Sequence, residues 1–140
     1  MTEVRVSGAI DPSVLGVVSL GGGLGGLARY GLAVAVPSGS VPWATLVTNV
    51  LGCALIGVLM VLVAEVWAAH RLLRPFLGVG VLGGFTTFSA YAVEAVDLLS
   101  AGAAVTGLLY LAGTLASCLL ATMSAVALTR LVTRLARRSG

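Results

Sequence analysis

The sequence predicts an all-α membrane protein with four transmembrane helices, the third broken near its middle. Three observations carry this. The chain has 140 residues, 59% of them hydrophobic and only 9% charged, and its mean hydropathy is +1.10. A soluble domain carries about 25% charged residues, so this chain cannot clothe a globule in polar surface. Residues 44–64 and 98–129 contain no Asp, Glu, Lys, Arg or His. Each run is longer than the roughly 18–20 apolar residues that cross a bilayer core as a helix. The stretch VLGGFTTFSAY, residues 81–91, then interrupts the third apolar run. Paired glycines and β-branched threonines disfavour a continuous helix there.

Four spans follow, at about residues 14–36, 43–66, 76–99 and 103–129, as one membrane domain over 1–140. Short connections leave no room for a soluble domain. The opening MTEVRVSGAIDPS has two acids and one arginine, so no cleavable signal peptide is expected. With four spans, the amino end, the central connection and the carboxyl end share one side. That side collects Arg5, Arg71, Arg74, Arg130, Arg134, Arg137 and Arg138, and the opposite connections hold no Arg or Lys. By the positive-inside rule both termini are expected in the cytoplasm. The tail TRLVTRLARRSG reads as an anchor on anionic headgroups rather than a nucleic-acid contact. His70, the sole histidine, reads as a solvated loop residue, and Cys53 and Cys118 as small packing residues, since no CxxC spacing accompanies them.

Gly21, Gly23 and Gly26 satisfy G-x-G-x-x-G, the outline of a dinucleotide fingerprint. That motif needs an acid about 20 residues on and a βαβ setting. The next acid is Glu65, beyond another apolar span, so the motif fails. Gly21, Gly22, Gly25 and Gly26 instead fit small-xxx-small spacing, which lets helices approach closely in lipid. Arg29 lies inside the first span. It either snorkels toward the helix end or attracts anions at a watery entrance.

A short list of polar residues remains. The second span offers Thr45, Thr48 and Asn49; an intramembrane Asn either bridges helices or offers its NH2 group to an anion. Tyr110, Thr114, Cys118 and Thr122 recur every four residues and form one helical stripe. In the third span Gly83, Gly84, Thr86 and Thr87 favour a break, which frees carbonyls and amides that must be buried in protein, line water or hold an ion. Beyond it Phe88, Tyr91 and Glu94 are spaced by three. Aromatic ring edges carry partial positive charge and can face an anion.

Together these segments resemble the CrcB/Fluc family of small fluoride channels. GGGLGGLARYG is similar to its first-span motif, PWATLVTNVLGCALIG to its second, and GVLGGFTTFSAYAVE to its third-span signature. The stripe from Tyr110 resembles the family's fourth-span polar track, so the resemblance runs from about Ser19 to Thr122. It implies an antiparallel dimer with two narrow pores that pass fluoride passively out of the cytoplasm and relieve its toxicity. It also implies a non-transported sodium ion at the dimer centre, held by main-chain carbonyls that map to Gly83 and Thr86. Phe88 and Tyr91 map to ring edges along the fluoride path. Asn49 maps to the polar pore residue, Tyr110, Thr114 and Cys118 to the track, and Thr45 joins them. Arg29, Glu94 and Thr87 take structural or gating places. Fluoride is small and strongly hydrated, so a pore must replace its water with close donors. Such residues supply them without a fixed charge that traps the ion.

Two departures stand out. Position 91 is Tyr where the family usually has Phe, and position 118 is Cys where it often has Ser. An antiparallel homodimer also needs near-zero Arg bias, whereas the count here is seven to zero. The expected partner is therefore either a second copy or an oppositely oriented paralogue. Two other readings compete: a small proton-coupled exporter, which lacks the first-span acid it needs, and a non-transporting structural subunit in the plasma membrane, which leaves Asn49 and the stripe unexplained. An enzyme is not expected, for no nucleophile–base pair stands out in the sequence.

Overall fold

A computed structural model describes residues 11–36, 39–66 and 71–138. Arg5 and His70, used above in the charge count and loop reading, lie outside the described residues. The helices are α1 (Pro12–Ala35), α2 (Trp43–Val61, continued by the π-wound turn Leu62–Val66), α3 (residues 75–85), α4 (Phe88–Ser100) and α5 (Ala104–Arg138). Helix α3 is π-wound over Pro75–Leu82 and α-helical over Gly83–Phe85. Four stretches, Pro12–Ala35, Trp43–Glu65, Pro75–Ser100 and Ala104–Arg138, are long and apolar enough to cross a membrane. No strand occurs among the described residues. The chain is an all-helical, multi-pass membrane protein.

Local chemistry fixes the ends. Asp11 caps α1 by accepting from the Ser13 N–H at 2.9 Å, and Pro12, whose missing N–H costs nothing in the first turn, starts the helix. Asp11 also pairs with Arg71 at 3.0 Å, tying the start of α1 to the connection before α3. The Ser13 backbone N–H above all, with Arg71 adding, holds the Asp11 carboxyl below its usual range. A depressed acid stabilises above its ordinary pKa, so this clasp loosens as pH falls through the lowered value. Between α4 and α5 the chain turns at Gly102, φ 76°. Its N–H donates to Leu99 O at 3.1 Å and that of Ala103 to Leu98 O at 3.0 Å, the two bonds of a Schellman stop.

Helix α1 packs on α3, and α2 and α4 pack on α5. Small residues set both approaches. A Cβ on Gly21 would sit 2.6 Å from Phe76 O, and one on Gly25 would overlap Val81 O. Gly26, in contrast, has nothing within 4 Å. The small-xxx-small pair that touches is thus Gly21 and Gly25, one α-turn apart. A Cβ on Gly57 would lie 2.8 Å from Thr122 O, so α2 and α5 nearly touch there.

Helix α5 runs nine residues past the predicted end of the fourth span. At 1.5 Å per residue its 35 residues reach about 52 Å, against roughly 30 Å of hydrocarbon. The arginine tail continues the helix because Arg is a good helix former, and because Arg130 Nε donates to Glu65 Oε1 at 2.8 Å. Arg137 donates to the Glu65 carbonyl, covering an otherwise orphaned acceptor beyond α2.

The isolated chain exposes 9344 Å², whereas a compact soluble protein of its mass exposes roughly 6,700 Å². Much of the excess is apolar side chain on all four spans, including Leu27, Val79 and Leu120. An apolar surface of that extent needs lipid or protein against it.

Candidate functional site

The site gathers where the backbone leaves helical geometry. Thr86 has φ −78°, ψ 157° and Thr87 φ −148°, ψ 123°, both extended. Side chains repair the lost ladder. The Thr86 hydroxyl and N–H both donate to Leu82 O, at 2.9 and 3.0 Å. Thr87 caps α4, its Oγ1 accepting from the Ala90 N–H at 3.2 Å. Asn49, buried on α2, completes the repair: its Nδ2 donates to Thr87 O and its Oδ1 accepts from the Thr87 N–H, each at 2.9 Å. A primary amide offers one donor and one acceptor in the same plane, as a neighbouring strand would. In an unbroken helix the Thr87 and Ala90 amides would bond to Gly83 O and Thr86 O. Both amides are engaged elsewhere, so these two carbonyls lack their i+4 donors.

Next to this segment opens a cavity of about 350 Å³, walled by α2, α3, α4 and α5. Asn49, Thr86, Thr87, Phe88, Tyr91, Thr114 and Cys118 contribute to its lining. Most of that wall is apolar, so each hydroxyl or amide in it stands out. Thr114 is only 3% exposed, and its Oγ1 has no partner among the described residues. A buried hydroxyl without a bond costs about 1–3 kcal/mol, which a bound polar group would offset. Phe88, at the rim, is 79% exposed.

An aromatic row leads inward. Phe88 and Tyr91 have ring centroids 5.8 Å apart at 54°, and Tyr91 and Tyr110 5.5 Å apart at 49°. Both are tilted contacts that place ring edges against faces. The hydroxyl that distinguishes Tyr91 from Phe donates to Leu111 O at 2.7 Å, which pins the ring to α5. At the end of the row Tyr110 donates to Glu94 Oε2 and Thr45 to Glu94 Oε1, both at 2.7 Å. One donor on each oxygen holds the carboxylate between α2, α4 and α5. Tyr110→Phe keeps the ring but leaves Oε2 without its donor. It should lower stability by about 1.5–3 kcal/mol, read as thermal unfolding in detergent. A change below about 0.5 kcal/mol would show that water replaces the hydroxyl.

The structure therefore groups the sequence candidates in two linked sets. Asn49, Thr86, Thr87, Phe88, Tyr91, Thr114 and Cys118, with Gly83, line the cavity. Thr45, Tyr110 and Glu94 form the clasp behind it. Arg29 is in neither; it is half-buried near the end of α1, with no ion pair or hydrogen bond found among the described residues. Cys53 was missed as a lining residue, and only its four-residue offset from Asn49 hinted that it shares that helix face.

Fold and site together define a small helical membrane protein with a polar-studded cavity in its transmembrane region. Residues 16–126 match the family described as CrcB-like protein, Camphor Resistance (CrcB), and the chain belongs to that family. Among similar curated proteins is the "Fluoride-specific ion channel FluC 2" of Nocardia farcinica, 54% identical over 92% of this chain and 94% of its own length. The protein of the same name from Streptomyces avermitilis is 60% identical over 73% of this chain and 66% of its own. That from Thermobifida fusca is 50% identical over 89% and 95%.

Proposed function

We propose that this chain is a subunit of a passive, fluoride-selective channel that lets fluoride leave the cytoplasm. The observation that carries the reading is the Thr114 hydroxyl, buried and unpartnered in the wall of a cavity that also presents Asn49, Phe88 and Tyr91. These are neutral donors and ring edges, suited to an anion that must shed water without being trapped by a fixed positive charge. The names of the similar proteins agree with it. Gly83 and Thr86 would hold a structural sodium ion, a hard cation that takes oxygen ligands, through the two carbonyls released from the helix ladder. Two such oxygens per chain call for a second chain, and the exposed Phe88 and large apolar surface fit an antiparallel pair. The one-sided arginines favour a paralogue as that partner, with both termini of this chain in the cytoplasm and the pair in the plasma membrane. Streptomyces avermitilis has relatives named FluC 2 and FluC 3.

Fluoride efflux from liposomes, with and without sodium, tests the reading. Flux well above empty vesicles, absent for chloride and weakened without sodium, is expected from the chain with its partner. Fluoride release no faster than from empty vesicles overturns it. Vigorous flux from this chain alone, with termini on both sides, overturns the pairing with a paralogue. Thr114→Val is sharper still: it removes the hydroxyl at constant shape. Fluoride flux should fall about 10-fold, the worth of one hydrogen bond to a charge, while stability holds or rises because the unpaired group is gone. Unchanged flux would make Thr114 a packing residue.

A further inference from the structure

Cys53 on α2 and Cys118 on α5 are both free and half-buried. Thr122 Oγ1 lies 3.1 Å from Cys53 O and 3.0 Å from Cys118 O, so the two residues sit opposite each other across the helix pair. Gly57, with its near contact to Thr122 O, lets the helices close one turn further along. Both residues line the same cavity, beside Asn49 and Thr114. No third Cys, His, Asp or Glu joins them, for the described residues contain no cluster of three.

We propose that Cys53 and Cys118 form a two-thiol site for a soft cation that binds in linear, two-coordinate fashion, with mercuric ion as its probe, and that its occupation obstructs the cavity. Thiolate sulfur selects soft metals. Zinc closes a tetrahedron of four ligands, and only two stand here. Charge also favours a divalent ion, because two thiolates and one mercuric ion make a neutral complex and no net charge is buried. Mercuric chloride gives up both chlorides. Each S–H bond breaks, two S–Hg bonds form, and two protons leave with the two chlorides; nothing is oxidised or reduced.

Binding at the site is independent of the fluoride reading, whereas obstruction of flux rests on it, and the experiment separates the two. The purified chain is treated with three equivalents of mercuric chloride, challenged with excess glutathione, and its intact mass measured. One mercury per chain should be retained. Cys53→Ala and Cys118→Ser should each bind at least about 100-fold more weakly, the usual gain from holding a second ligand nearby. Zinc should not be retained. Two mercury atoms per wild-type chain, or equal retention by either variant, overturns the site. In liposomes that hold the chain with its partner, mercuric chloride should reduce fluoride efflux of the wild type, normalised to its own basal rate, and leave the ratio for Cys53→Ala near one. Retained mercury with undiminished efflux overturns the obstruction. Retained mercury in a chain that passes no fluoride even when reconstituted with its partner refutes the channel reading and leaves the site standing.

Discussion

Asn49→Asp should abolish fluoride flux and destabilise the chain, although it exchanges only NH2 for oxygen. Asn49 donates to Thr87 O and accepts from the Thr87 N–H. Aspartate can keep the second bond but not the first, and sets a carboxylate oxygen against a carbonyl oxygen. The Thr87 carbonyl, at the N-cap of α4, then loses its side-chain donor and meets a like-charged oxygen in its place. An unmade bond at a buried group costs about 1–3 kcal/mol, and more beside a charge. The added negative charge also repels an anion in the adjoining cavity. Asn49→Ala separates the two effects, since it introduces no charge. It removes both bonds and should cost about 3 kcal/mol of stability, with flux lost through collapse of the Thr86–Thr87 segment. Thermal unfolding in detergent and liposome efflux read the two quantities. Should Asn49→Ala match the wild type in both, Thr87 is held by something other than this amide.

The second large effect is expected at Gly25. A Cβ there overlaps Val81 O and comes within 2.8 Å of Phe85 N, both backbone atoms of α3. Backbone cannot swing aside as a side-chain tip can, so Gly25→Val must push α1 off α3. Overpacking commonly costs 1–3 kcal/mol, and about 3 kcal/mol is expected with a rigid neighbour on the other side. Gly26 supplies the control, because it has open space around it. Gly26→Ala should be neutral or stabilising by up to about 1 kcal/mol, the difference in helix propensity. The opposite signs at adjacent glycines are the signature of contact with α3. Similar unfolding temperatures for the two variants would mean that α1 does not pack as described.

Much of this molecule is legible in the sequence. Composition and two long uncharged runs indicate a membrane chain with four spans, and α2 begins at the expected Trp43. Helix α5 continues beyond the expected fourth span, because membrane-crossing length and helix length are different quantities. Apolar residues stop at Thr129, while Arg130 and Arg137 extend the helix by reaching Glu65. The glycine spacing in the first span points to close packing, and three of its four glycines meet α3: Gly21 and Gly25 have no room for a Cβ, the Gly22 backbone lies against Gly84, and Gly26 stands open.

The candidate residues were named from type and spacing, and their working relations were not. Asn49 and Thr87 are 38 residues apart, and Thr45 and Glu94 are 49 apart. A periodicity read along one helix carries no record of what faces it from another. The hydroxyl of Tyr91 was a departure in the sequence, and only the neighbouring α5 carbonyl of Leu111 gave it a partner. By itself, the sequence determined the solvent, the number of spans and the list of polar groups, because these depend on summed composition and local spacing. Tertiary structure alone decided which groups are spent on each other and which, like Thr114 and the Cys53–Cys118 pair, are left in the cavity wall. Hydrogen bonds and thiol contacts reach only a few ångströms, so they exist only once the helices have met.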